Sequence, residues 1–148
     1  MLTIVEAGIQ IPEIWESEEE KALSLVALKK NCLAFARSRY IHNPPVTVQN
    51  RATNWVIEIS NRVINEWWGK ARTRERVLAI KLLDIMIETA KYSKTVDDYK
   101  KTPGIENVSY FENFSKINGS LFTITITVKK MLYTDRRYVY YYSAVRNA

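Results

Sequence analysis

Residues 107–130 read NVSYFENFSKINGSLFTITITVKK, and the Asn-Gly pair at 118–119 divides the run in two. Asn-Gly between alternating segments is the strongest short hairpin signal, because both residues tolerate the left-handed backbone that a two-residue turn needs. On its C-terminal side Phe122, Ile124, Ile126 and Val128 fall on one strand face, and Thr123, Thr125, Thr127 and Lys129 on the other. The pattern predicts strands over 107–117 and 121–130, one face apolar and the other hydroxyl-rich with a basic end. A third strand follows over 136–145, where Tyr138, Tyr140 and Tyr142 would share a face and Tyr141 oppose them.

Upstream, the period is helical. Ser17 with Glu20 forms a capping box, and Ala22, Leu25, Val26, Lys29, Leu33, Ala36 and Tyr40 then recur at helical spacing. Pro44 and Pro45 stop that helix. Val46–Val48 and Trp55–Ile59 read as short strands around a turn at 50–54. Ser60 caps a short helix bearing Val63, Ile64 and Trp67, which Gly69 ends. Thr73 starts the next, with Val77, Ile80, Leu83 and Ile87 on one stripe and Asp84 at its edge. The polar run at 93–104, SKTVDDYKKTPG, reads as a mobile connection. The expectation is an α+β fold, with N-terminal helices packed on one face of a twisted antiparallel sheet that ends in a three-stranded meander. One domain spans 1–148: an acidic arm at 1–16, an added helix at 17–41 and a core at 46–145.

The net charge of +6 conceals a division. Residues 1–20 carry six glutamates and no Lys or Arg, so the rest of the chain holds all 22 basic residues against ten acids. A body that basic attracts phosphate backbones. Cys32 is the only cysteine and His42 the only histidine, which excludes an intrachain disulfide and leaves a Cys/His zinc site untenable. There is no apolar run long enough to span a membrane, no signal-like N-terminus, no Gly-rich phosphate loop and no Gly-x-Ser-x-Gly elbow. Neither metal nor other cofactor is expected, and the setting expected is cytoplasmic.

Chemistry without histidine or metal remains. An RNA 2′-hydroxyl can attack its own phosphate, given a base and cations to stabilise the transition state. In NRVINEWWGKARTRERVLAIK, residues 61–81, Glu66 is the candidate base; its other reading is an i,i+4 pair with Lys70. Lys129, Arg136 and Arg137 are the candidate stabilisers, and Lys70, Arg72, Arg74 and Arg76 the residues that steer the backbone. Trp68 and Tyr141 are candidate stacking platforms for unpaired bases.

Two runs carry a family likeness. NRATNWVIEISNRVINEWWGKA with VLAIKLLDIMIETAKY, and VSYFENFSKINGSLFTITITVKK with YVYYYSAV, together resemble phage- and mobile-element-associated nuclease-like domains grouped with barnase, EndoU, colicin-type tRNases and RelE. Such domains often end large polyvalent phage or conjugative-element proteins, and the likeness covers about residues 46–145. It implies a helical portion on an antiparallel sheet, and cleavage or binding of RNA (tRNA or rRNA). Many related domains carry a histidine near the short helix, where this chain has Asn65 and Glu66. The leading expectation is a metal-independent, toxin-like endoribonuclease, with a cognate antitoxin as partner, or its catalytically degenerate RNA-binding relative. The competing one is a phage-encoded protein-interaction or inhibitor module without activity.

Overall fold

The computed structural model describes residues 2–5, 9–98 and 102–147, with side chains from residue 11 onward. Two N-terminal strands, β1 (Leu2–Val5) and β2 (Ile9–Ile14), precede helices α1 (Glu18–Lys21) and α2 (Leu25–Tyr40). Strands β3 (Val46–Gln49) and β4 (Val56–Ile59) follow, then α3 (Asn61–Lys70), α4 (Arg74–Leu78), a 3-10 turn at Ala79–Leu82 and α5 (Leu83–Thr89). Strands β5 (Lys91–Asp97), β6 (Ile105–Ile117), β7 (Ser120–Met131) and β8 (Arg137–Arg146) complete the chain. No helix among the described residues is long and apolar enough to cross a membrane.

The expected hairpin is present. Ile117 faces Ser120, and Asn118 (φ 50°) and Gly119 (φ 82°) both adopt the left-handed conformation. A side chain at Gly119 would also meet Trp15, whose Cη2 lies 3.0 Å from the position of an added Cβ. Gly119→Ala should therefore cost at least about 1–2 kcal/mol, measured by urea unfolding. Phe122, Ile124, Ile126 and Val128 are all buried, as the alternation requires. Burial of each contributes roughly 1.5–3 kcal/mol.

Four expectations need correcting. The sheet is mixed, in the order β1-β2-β6-β7-β8-β4-β3 with β5 also on β6, because β4–β8 and β2–β6 pair in parallel. The run expected as a mobile connection contains β5, an edge strand paired with β6 through a bulge at Ser93. Its side chains are almost all exposed, so backbone pairing holds it and leaves no apolar alternation to read. Tyr99, Lys100 and Lys101 of that run lie outside the described residues.

The acidic arm is likewise part of the sheet: Glu13 and Ile14 pair with Lys116 and Ile117, and the Asn118 amide donates to the Ile14 carbonyl (3.0 Å). Glu6, one of the arm's three glutamates, lies outside the described residues. The helix expected over 17–41 is two. The Ser17–Glu20 capping box forms, but Ser24 caps a second helix by accepting from the Ala27 amide (3.1 Å). Its buried stripe is consequently Leu28, Cys32, Ala36 and Tyr40, while Leu25 and Val26 are exposed.

The later helices keep their buried stripes, although the one expected from Thr73 is divided into α4, a 3-10 turn and α5. Val63, Ile64 and Trp67 of α3 are buried, as are Val77, Ile80, Leu83 and Ile87. Asp84 sits at the stripe's edge, bonded to Arg39 (2.7 Å). These residues join the inner faces of β4, β6, β7 and β8 in one core. Burial pushes the Cys32 thiol up to about 11, so it is a packed, unreactive group. His42 donates from Nε2 to the Ser38 carbonyl (2.7 Å) at the end of α2.

Candidate nucleic-acid interface

The decisive irregularity is in β8. Thr127 faces Tyr141 and Val128 faces Val139, so Tyr140 is an extra residue in a bulge. The bulge overturns the expected tyrosine pattern. Tyr142 turns into the core, 4% exposed, and its hydroxyl donates to the Ala79 carbonyl (3.1 Å). Tyr140 and Tyr141 stand side by side instead, with Tyr141 opposite Thr127 on the hydroxyl-bearing outer face. Burial is the first cause of the upward shift of the Tyr138 hydroxyl, with Tyr140 and Asp98 adding to it against Arg62.

Helix α3 packs against β8. Along α3, Arg62, Glu66 and Lys70 are four residues apart and so share a face. Glu66 pairs with Lys70 at 3.2 Å and with Arg62 at 3.7 Å. Arg62 Nη2 donates to the Tyr140 hydroxyl (2.6 Å), and Lys70 Nζ lies 4.1 Å from the centre of the Tyr141 ring. Lys129, only 7% exposed, brings its ammonium 3.7 Å from the Tyr140 ring centre. Such contacts hold cations in place without neutralising them. Lys70, Asp98, Tyr110, Thr127, Lys129, Tyr140 and Tyr141 line a cleft of about 150 Å³, and Asp98 takes a hydrogen bond from the Thr102 amide (2.8 Å). Beside it, sharing Lys70 and Tyr141, a hollow of about 160 Å³ contains Arg76 and Trp67. A larger cavity, about 740 Å³, shares no residue with either and is lined by the Arg39–Asp84 pair and Lys81.

Three of the residues singled out in the sequence, Lys70, Lys129 and Tyr141, therefore line one cleft, with Glu66 paired to Lys70 and Arg76 in the adjoining hollow. The others do not. Arg136 is held by both carboxylate oxygens of Glu58 (2.8 and 3.0 Å). Arg137 stacks 4.0 Å over Trp55, and its Nε is buried without a hydrogen-bond partner among the described residues. Arg72 is exposed, and Trp68 lies under Lys29, whose ammonium is 4.8 Å from the ring centre. Lys29 also donates to the Ala71 carbonyl (3.2 Å) at the end of α3, and burial, with Arg72 nearby, lowers its pKa.

Arg74 is a structural strut. Its guanidinium donates to Glu16 Oε2 (2.6 and 2.9 Å) and to the carbonyls of Glu20 and Leu23. Bonding to Arg74 is the main reason the Glu16 carboxyl titrates below its ordinary 4.5. For Glu20, burial pushes upward, but Lys81 and the Ser17 amide outweigh it and the net shift is also down. Folded values below the unfolded ones mean stability that is present above pH 4.5 and lost as pH falls through the folded values. Arg74→Ala should cost about 2–3 kcal/mol at pH 7, since Glu16 stays buried, and should flatten that acid dependence. Urea unfolding from pH 7 down to 3 measures both.

Sequence reasoning missed Arg62, Tyr140, Tyr110 and Asp98. Arg62 had a signal, its place one turn before Glu66; the others depend on the bulge and on β5.

The mixed sheet and its tyrosine-walled cleft define a small α+β domain. The chain belongs to the family described as large polyvalent protein-associated domain 3, whose sequence model matches residues 24–140. The match supports the mobile-element association and does not extend to the nuclease-like grouping. No curated protein and no solved structure matches the chain.

Proposed function

We propose that the chain is an RNA-directed mobile-element protein, and that the cleft between α3 and β8 takes and cleaves the RNA backbone. The observation carrying this reading is the convergence of Lys70, Lys129 and Tyr141 from three separate elements on one cleft, with Glu66 held against Lys70 (3.2 Å). In the cleavage step Glu66 accepts the 2′-hydroxyl proton. The 2′-oxygen attacks phosphorus to form a 2′,3′-cyclic phosphate, and the 5′-oxygen leaves with a proton from Lys70. Lys129 and Arg62 balance the charge that develops on the phosphoryl oxygens. Arg76 steers the adjoining backbone, and Tyr141 offers a face to a base. Arg136, Arg137 and Arg74 take no part, being committed to Glu58, Trp55 and Glu16.

The test is incubation with total tRNA and rRNA in EDTA, alongside RNA-binding measurements over a salt series. Fragments ending in 2′,3′-cyclic phosphate are expected. Intact RNA with steeply salt-dependent binding assigns the same cleft to a binding-only relative. Neither cleavage nor such binding overturns the reading in favour of a protein-interaction module.

A further inference from the structure

Tyr110 is the wall between two hollows. On one side it lines the Lys70–Lys129 cleft; on the other it borders a hollow of about 390 Å³ with Ser93, Lys94, Glu112 and Thr125. The cleft in turn shares Lys70 and Tyr141 with the hollow that holds Arg76. Three depressions thus lie in a row, separated only by tyrosine rings and one lysine.

Both flanks of this row are made by bulges. The bulge at Ser93 sets Lys94 directly opposite Tyr110, with its ammonium 5.9 Å from the ring centre. The bulge at Tyr140 sets Tyr140 and Tyr141 beside Lys129 and Lys70. An unbulged strand would send alternate residues to the opposite face; the extra residue re-aims them. Each ring is accompanied by a cation. That is the repeating requirement of an unpaired nucleic-acid strand, which stacks its bases on rings and sets its phosphates against ammonium groups. The far hollow adds something the cleft's cations do not. Among the described residues Glu112 is the only acid lining it, and with the Ser93 and Thr125 hydroxyls it provides hydrogen-bond acceptors. The Glu112 carboxylate suits the N–H edge of a base and repels a phosphate.

We infer that the hollow beyond Tyr110 is a base-binding subsite, and that the substrate is an unpaired RNA strand laid across the outer face of β5–β8. The inference rests on the RNA reading above. Duplex RNA is excluded because its stacked bases cannot reach Tyr110 or Glu112.

The test uses uncleavable 2′-O-methyl oligoadenylates, a dinucleotide and an octamer, and the octamer paired with its complement. Fluorescence anisotropy is read with the full chain. The octamer is expected to bind roughly tenfold or more tighter than the dinucleotide and than the duplex. Tyr110→Ala should weaken the octamer roughly tenfold and the dinucleotide clearly less, while Tyr110→Phe, which keeps the stacking face, behaves as wild type. Lys94→Gln should reduce the salt slope for the octamer by about 0.7, one phosphate's worth. Equal affinity of Tyr110→Ala and wild type for the octamer, or duplex binding as tight as the single strand, would overturn the subsite. If the dinucleotide binds and length adds nothing, only this inference fails. If no oligonucleotide binds at all, the RNA reading fails and takes the inference with it.

Discussion

Asn50→Ala is expected to lower folding stability by about 3–5 kcal/mol, the largest loss from any single polar side chain described here. Asn50 is fully buried between the β3–β4 turn and the end of α5. Its Nδ2 donates to the carbonyls of Ile87 (2.8 Å) and Ala90 (2.9 Å), and its Oδ1 accepts from the amide (2.9 Å) and hydroxyl (3.0 Å) of Thr53. Alanine abandons four groups at once, in a place where water cannot replace the lost partners. Asn50→Asp should be no better, because its carboxylate would confront two carbonyl oxygens. Urea unfolding at pH 7 measures the effect; a loss below about 1 kcal/mol would contradict the bonding described. The consequence reaches the cleft, since this pin sets the turn that delivers β4 and then α3.

The second large effect concerns chemistry. Glu66→Gln should reduce RNA cleavage about 10²–10⁴-fold, the usual contribution of a positioned general base. Glutamine keeps the size of the side chain and cannot take a proton. Arg62 and Lys70 would retain their charges and lose a competitor for them, so RNA affinity should hold or rise. A loss in kcat without a rise in Kd is therefore the signature expected. Cleavage by the variant at the wild-type rate would remove Glu66 from the mechanism, and a parallel loss of binding would make it a structural pair instead.

The sequence was informative wherever one local rule controlled the outcome. The Asn118-Gly119 turn, the alternation along β7, the caps at Ser17, Ser60 and Thr73, and the α3 stripe all depend on neighbours within a few residues. The failures share a different cause. The bulges at Ser93 and Tyr140 are set by what lies across the sheet, so strict alternation wrongly put Tyr138 and Tyr140 on the face of Tyr142. Arg74 looked like a phosphate ligand because its counter-charge, Glu16, is 58 residues away in sequence. Arg136 was misread likewise, its partner Glu58 being 78 residues distant. Charge counting finds a basic surface; it does not reveal which cations already have a carboxylate.

The two parallel pairings also constrain how the chain reaches this state. Strands β6, β7 and β8 are joined by short turns, so their ladder forms between residues close in sequence. Joining β4 to β8 must bring residue 57 to residue 137, and joining β2 to β6 must bring residue 13 to residue 116. Both closures cost chain entropy before their own contacts repay it. The meander is thus the natural nucleus, with the two parallel seams added after it. Mutations in those seams should speed unfolding more than they slow folding. Because α3 follows directly from β4, the cleft is assembled only when the second of the chain's distant halves has docked.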